Sequence, residues 1–396
     1  MPKRRGRLAG AAVVAALAMT TAACSGSGST SNGSGEEGQP VKGGTLNALG
    51  TGDTDYMDPN ITYYTVGAWT MRPISRQLFT YPAEEGKTTT SSPDLATELP
   101  TEDNGGISSD GKTYTIKMRD DAKWNTSPAR AVTAGDAVRG LKRTCNPHQP
   151  FGGIPDFAEL IEGYQQFCDG FSKVDGNDAK AMGKYIESND IAGATAKDDT
   201  TLVFKLTHPA AYFVDMLTMP AFSPAPKEWN QYLPASQELA KNFISDGPYK
   251  LDNWEPTKKI EYSRNPAWEP SSDPIRKAYV DKIVVNETVS QESVYQQLQT
   301  GTPSADIAYA SSPPPSILPK LIASKDPKLD LGDTSSSNPY VVFNTASPND
   351  NGATSKLKVR QALEYGINRD NIIQVLGGPK VNPPLDHVIP EVLVGG

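Results

Sequence analysis

Strand and helix signals interleave along the whole chain, its 396 residues exceed what one hydrophobic core usually serves, and 34 glycines with 33 prolines imply many connections. Together these predict a mixed α/β (α+β) protein of at least two lobes, not a helix bundle or separate all-α and all-β modules. No solenoid-length repeat stands out.

The elements follow in order. Gly43-Gly44-Thr45-Leu46-Asn47-Ala48-Leu49 alternates after a glycine pair and reads as an entering strand, followed by a turn at Asp58-Pro59. Residues 66–79 have helical spacing broken by Pro73, whose missing amide hydrogen predicts a kinked or interrupted helix. Asp110-Gly111 turns the chain into a strand over 112–118, with Tyr114, Ile116 and Met118 on one side. Thr133 and Asp136 have capping-box spacing and start a helix that presents Ala137, Val138 and Leu141 and runs to Arg143. Residues 184–186 sit on a helix, and Asp198-Asp199 opens a strand at 201–206. Further strands are predicted at 248–254, 260–263, 282–285, 306–309 and 340–343. Helices follow at 290–299, where Val294 and Leu298 are four apart, and at 357–367.

The first residues predict where the protein works. Lys3, Arg4, Arg5 and Arg7 precede an apolar run over 8–19, too short for the roughly 20 residues that span a bilayer. Residues 1–23 therefore read as a cleaved export signal. Thr21-Ala22-Ala23-Cys24 resembles a bacterial lipobox, with Thr21 where leucine is usual, and predicts lipidation of Cys24; the alternative is a secreted protein with a free thiol. The Ser/Gly-rich stretch 24–40 has almost nothing with which to build a core and reads as a flexible tether. Several acyl chains would hold such a protein stably on the membrane.

With 38 basic against 46 acidic residues the net charge is −8, and no basic cluster lies beyond the leader, which argues against nucleic acid as a partner. Cys145 and Cys168 form an even pair in a compartment where disulfides persist, so a bond between them is expected; two buried free thiols are the alternative.

Seven stretches in order resemble one family, the solute-binding proteins of ATP-binding-cassette importers, in the oligopeptide, dipeptide and nickel group called family 5. They are GGTL at 43–46, MDP at 57–59, DGKTYTIKMRDDAKW at 110–124, VTAGDAVRGLKR at 132–143 and TLVFKLTHPAAYF at 201–213. DGPYKLDNW with SRNPAW at 246–254 and 263–268, and VVFNT with VRQALEYGINRDNI at 341–345 and 359–372, complete the set. The cysteines around FGG at 151–153 are similar to actinobacterial members.

The resemblance implies a two-lobed, periplasmic-binding-protein-like fold (type II, cluster C-like) closing by hinge motion over a ligand. Mapped here, lobe I takes residues 41–285 with an inserted subdomain at about 60–190, and lobe II takes 286–396. Lobe II is expected to be incomplete, because members continue well beyond the position of Gly396. The implied role is an extracytoplasmic, lipid-anchored, monomeric binder delivering short peptides to permease subunits and their ATPase, without catalysis or a cofactor. The same scaffold for a nickel chelate or an oligosaccharide, or a surface peptide sensor without transport, are the rival roles.

Site residues follow from matched positions. Asp53, Thr54, Asp55 and Tyr56 fall on a family loop at the cleft mouth, or on a solvated turn. Tyr249 falls on the cleft side, or is buried with a satisfied hydroxyl. Asn286 and Glu287 serve as hinge or wall; Tyr340 and Asn344 flank the VVF strand and point into the cleft, or are edge-strand polar groups. Arg360 and Arg369 are assigned to structural ion pairs. GxSxG and HExxH motifs are absent, and His148, His208 and His387 lie far apart, so no catalytic or metal site is expected. The acidic group Asp175, Asn177 and Asp178 reads as a solvated loop.

Overall fold

β1 (Thr45–Gly50) is the hinge-pin of the larger sheet because it pairs on both sides, and both of its partners run parallel to it. The computed structural model describes residues 40–84, 86–331 and 340–385. The leader, Cys24, the tether up to residue 39 and His387 lie outside the described residues. In chain order the next strands are β2 (Thr113–Lys117), β3 (Ala194–Asp198), β4 (Thr201–Lys205), β5 (Tyr249–Glu255), β6 (Lys259–Arg264), β7 (Lys282–Asn286) and β8 (Ile307–Tyr309). The five-stranded sheet has the order β8-β1-β7-β6-β5, and β5, β6 and β7 run antiparallel in sequence.

Alternation along β1 places Ala48 and Leu49 on opposite faces. Ala48 joins Tyr249, Ile260, Tyr262 and Val285 against Met57, Met71, Ile74, Trp229 and Phe243, while Leu49 packs with Val294, Tyr295 and Ala305. Both faces are thus covered, as parallel pairing requires.

The second layer is a three-stranded antiparallel sheet, β2-β4-β3, covered by helices α2 (Ala134–Arg143), α3 (Tyr164–Phe171) and α4 (Ala179–Ser188), α1 being Thr65–Met71. One core gathers residues from Leu78 to Phe222, so this body extends past residue 190. α2 begins at the expected capping box: Asp136 N donates to Thr133 Oγ1 at 3.3 Å and Thr133 N donates to Asp136 Oδ2 at 3.1 Å. Gly140 is needed where α2 crosses the 220–223 turn, since a Cβ there would stand 2.0 Å from the Ser223 carbonyl oxygen. Cys145 and Cys168 are bonded, with Cα atoms 5.5 Å apart, tying the end of α2 to α3. Replacing Thr133 with alanine should cost about 1 kcal/mol, read as a lower urea midpoint at unchanged slope. An unchanged midpoint would contradict this use of the cap.

Two expectations are corrected. The 66–79 helix ends at Met71 and does not resume after Pro73. There the backbone turns outward, because the Pro73 carbonyl accepts Tyr249 N at 3.0 Å and the Ile74 carbonyl accepts Gly247 N at 3.3 Å. Residues 340–343 form no strand: Tyr340, Val341 and Val342 are exposed and pair with no described strand. Beyond residue 286 the chain passes through helix α5 (Gln291–Thr300), and β8 returns to pair with β1. From Val41 onward the contacts define one compact unit.

Candidate functional site

The carboxyl ends of three neighbouring parallel strands converge: Gly50 is opposite Tyr309, and Leu49 is opposite Asn286. In open sheets of this kind ligands bind beyond the carboxyl ends of strands. The 51–58 loop, Glu287 and the end of β8 therefore share one rim.

Thr54 is buried there and its amide donates to Glu287 Oε1 at 3.2 Å. Glu287 is itself only 4 % exposed, and its amide donates to the Lys258 carbonyl at 2.8 Å. Burial, and secondarily the neighbouring Asp53 carboxyl, push the Glu287 pKa up to about 8. Asp53 Oδ1 accepts Thr257 N at 3.1 Å, which closes the β5–β6 turn onto the loop.

Asp55 has a different task. Its carboxylate accepts the Thr62 hydroxyl, Tyr63 N at 2.7 Å and Tyr64 N at 3.3 Å, and so shapes the turn into α1. Gly67 leaves room for this, because a Cβ would lie 1.8 Å from Thr62 Oγ1. Tyr56 is half-buried on the same loop.

An aromatic wall stands beside the acids. Trp69 on α1 is 48 % exposed and meets the Tyr309 ring edge-on at 6.0 Å. The Tyr309 hydroxyl donates to the Val66 carbonyl at 3.1 Å and lies 2.7 Å from Thr70 Oγ1, and burial raises its pKa to about 12. Tyr262, from β6, donates to the Thr70 carbonyl at 3.1 Å. Tyr63 and Tyr64 are exposed next to α1.

The remaining predicted residues are engaged differently. Tyr249 pairs with Arg264 at the other end of the sheet from Glu287, is buried, and donates its hydroxyl to the Val280 carbonyl at 2.8 Å. That is the buried, satisfied tyrosine left open above, and it does not reach the rim. Tyr340 is 75 % exposed, and Asn344 is engaged locally, accepting Ala346 N at 3.0 Å and the Thr354 hydroxyl at 2.6 Å. Arg369 pairs with Glu364 at 3.4 Å, whereas Arg360 donates to the Thr354 and Ser355 carbonyls instead of to an acid. Asp178 caps α4. Tyr309 was not singled out from the sequence; it ends a predicted strand, but which strand it would adjoin is not written in its neighbours.

A concavity of about 560 Å³ lies away from this rim, lined by Lys180, Lys184, Glu187, Lys227, Glu228 and Asn230. It is open, and its acids are already engaged, Glu187 with Arg139 and Glu228 with Arg130. Among the described residues no group of three or more His, Cys, Asp or Glu could hold a metal ion, and no helix is long and apolar enough to cross a membrane.

Comparison with known proteins bears on this geometry. Residues 90–392 match the middle region of the bacterial extracellular solute-binding proteins, family 5. The chain is 30 % identical over 205 residues to the dipeptide-binding protein DppE of Bacillus subtilis, covering 51 % of this chain and 33 % of that protein. It is 24 % identical over 273 residues to the periplasmic oligopeptide-binding protein OppA of Escherichia coli, covering 67 % and 44 %. Listeria monocytogenes OppA bound to peptide superposes with a TM-score of 0.63 at 21 % identity, covering 87 % of this chain and 60 % of that one. The unliganded open form of the murein tripeptide binding protein MppA gives 0.62 at 22 %, covering 90 % and 61 %. The chain thus spans less than half the length of these two curated relatives, and the structural matches establish the type II binding-protein fold. With about three quarters of its length inside the family match, this chain belongs to the bacterial extracellular solute-binding proteins, family 5.

Proposed function

We propose that the chain is the peptide-binding component of an importer, and that peptide lies against the rim formed by the 51–58 loop, Glu287, Trp69 and Tyr309. The observation that carries this reading is the meeting of three parallel strand ends under a half-exposed aromatic and a buried acid that makes no ion pair among the described residues. Such a surface offers hydrogen-bonding backbone, an apolar wall and a charge, the groups a short peptide needs. Dipeptide- and oligopeptide-binding relatives support the ligand class. Thr54, Asp55, Tyr56, Glu287, Tyr340 and Asn344 remain the proposed ligand-facing set, with Asp55 acting through the loop it shapes. Tyr249 is left out because its hydroxyl is satisfied at the far end of the sheet. The lobes are proposed to part after β8 and not at residue 286. Outside the membrane, Cys24 would carry the lipid and the tether would let the domain reach permease subunits.

Thermal-shift screening of the full chain with di- to pentapeptides, oligosaccharides and nickel chelates tests the reading. A peptide at 100 times its dissociation constant should stabilise by about 2.7 kcal/mol. Shifts with sugars or chelates and none with peptides would refute it.

A further inference from the structure

The open concavity of about 560 Å³ between α4 and the turn at Lys227–Gln231 has a floor made by close contact of its two walls. Gly183 on α4 lies against Asn230, where a Cβ would stand 2.8 Å from the Asn230 Cβ and from its carbonyl oxygen, so only glycine lets the two segments meet. Lys180 and Lys184 flank that contact on α4, one helical turn apart, and Lys227 lines the opposite wall.

All three lysines are exposed. Among the described residues lysine ion pairs are made by Lys87, Lys142, Lys250 and Lys259, and the groove lysines make none. The acids of the groove are committed elsewhere. Glu187 Oε1 accepts Arg139 Nε at 2.6 Å and Asn230 Nδ2 at 2.7 Å, and its Oε2 accepts an Arg139 Nη at 3.3 Å. Glu228 accepts Arg130 through both oxygens, at 3.3 and 3.0 Å. The same two arginines share Asp136, so this network has one acid in excess, and the three lysines outnumber it. On a chain of net charge −8 the groove is a local reversal of sign.

We infer that this groove docks an extended, acidic segment of a partner polypeptide. Charge complementarity sets the sign, and the lysine spacing sets the form. Positions four apart on a helix lie about 5–6 Å from one another, and alternate residues of an extended chain, which share a face, lie about 6.6–6.8 Å apart. Carboxylates at every second position therefore reach Lys180 and Lys184 together. The lysine stems line the groove with methylenes, against which glutamate side chains pack. A bilayer surface is planar and does not enter a concavity, and a phosphate polymer brings charge without apolar contact. The groove lies away from the rim, so the docked segment and a peptide at the rim do not compete.

Fluorescence anisotropy of the full chain with a labelled octapeptide of alternating glutamate and alanine, blocked at both ends, tests this. The probe should bind at least tenfold tighter than its glutamine counterpart at roughly 50 mM salt, and the gap should shrink at roughly 500 mM as the charges are screened. Lys184→Glu and, from the other wall, Lys227→Glu should each weaken it about fivefold or more; the two variants guard against one that folds poorly. Lys320→Glu, on the helix Leu318–Ser324, should leave it unchanged. Excess trialanine should not displace the probe. Equal binding of the two octapeptides, equal loss in all three variants, or displacement by trialanine overturns the inference. So does flotation with phosphatidylglycerol vesicles that Lys184→Glu abolishes, if the acidic octapeptide does not bind.

Discussion

Replacing Arg143 with alanine is expected to lower the melting temperature by about 10 °C. The guanidinium lies 2.6 Å from Asp58 Oδ2, with both side chains at most 2 % exposed, and its Nε donates to Asn60 Oδ1 at 3.1 Å. Its carbon stands 5.3 Å from the centre of the Trp229 ring. Asp58 in turn accepts Asn60 N at 3.2 Å and Ala235 N at 3.3 Å. Truncating the arginine leaves a buried carboxylate without its cation, which costs about 3–5 kcal/mol. For a chain of this size each kcal/mol moves the midpoint by roughly 2–4 °C. The effect bears on the site, because this pair fastens the 58–60 turn, directly after the rim loop, to α2 of the second layer. Far-UV circular dichroism melts check it, and the double replacement Asp58→Leu with Arg143→Met should lose less than Arg143→Ala alone. A single-variant loss under about 1 kcal/mol would contradict the account.

The second large effect depends on pH and has the opposite sign. Asp246 is buried; its Oδ1 accepts Arg76 N at 3.0 Å and its Oδ2 has no partner. Around it Arg76 lies 2.8 Å from Asp94, while Arg276 lies 2.9 Å from Asp94 and 3.2 Å from Asp273. Three acids thus share two guanidinium groups. Burial, and then repulsion from Asp94 against the pull of the arginines, raises Asp246 to about 7. An acid with a raised folded pKa favours the folded state most while it is protonated in both states. Its contribution is therefore present below about pH 4 and is lost as pH rises to about 7. Asp246→Asn removes the titration and keeps an oxygen for the Arg76 amide. The variant should match the parent near pH 4 and exceed it by roughly 2–4 kcal/mol at pH 8, at about 1.4 kcal/mol per pKa unit. Urea unfolding at the two pH values measures the difference; a gap that does not change with pH would contradict it.

Elements governed by local rules were legible in the sequence. Thr133 and Asp136 announce α2 through spacing alone, and the alternation in β1, β4, β6 and β7 matches the sheets within a residue or two. Failures came where distant segments decide. Pro73 stops α1, but what happens next depends on Gly247 and Tyr249, nearly two hundred residues away, which draw the backbone into other hydrogen bonds. Residues 340–343 have strand composition and find no described partner. The site shows the same division. The 53–56 loop and Glu287 were legible because motifs bracket them, whereas Tyr309 reaches the rim only through the parallel register of β1 with β8. Tyr249 shows the converse: its motif was recognised, but only the register of β5 against β6 puts it at the end of the sheet away from Glu287, buried as the alternative reading had it.

The claim that a short peptide lies over the carboxyl ends of β1, β7 and β8 is tested most directly by photocrosslinking. A tetrapeptide bearing benzoylphenylalanine is irradiated with the full chain, and the adducts are mapped by mass spectrometry. The account predicts adducts on residues 51–56, 63–70, 287–289 and 309–311 that excess unlabelled peptide removes. Competable adducts confined to the groove at 180–187 and 227–231 would contradict it.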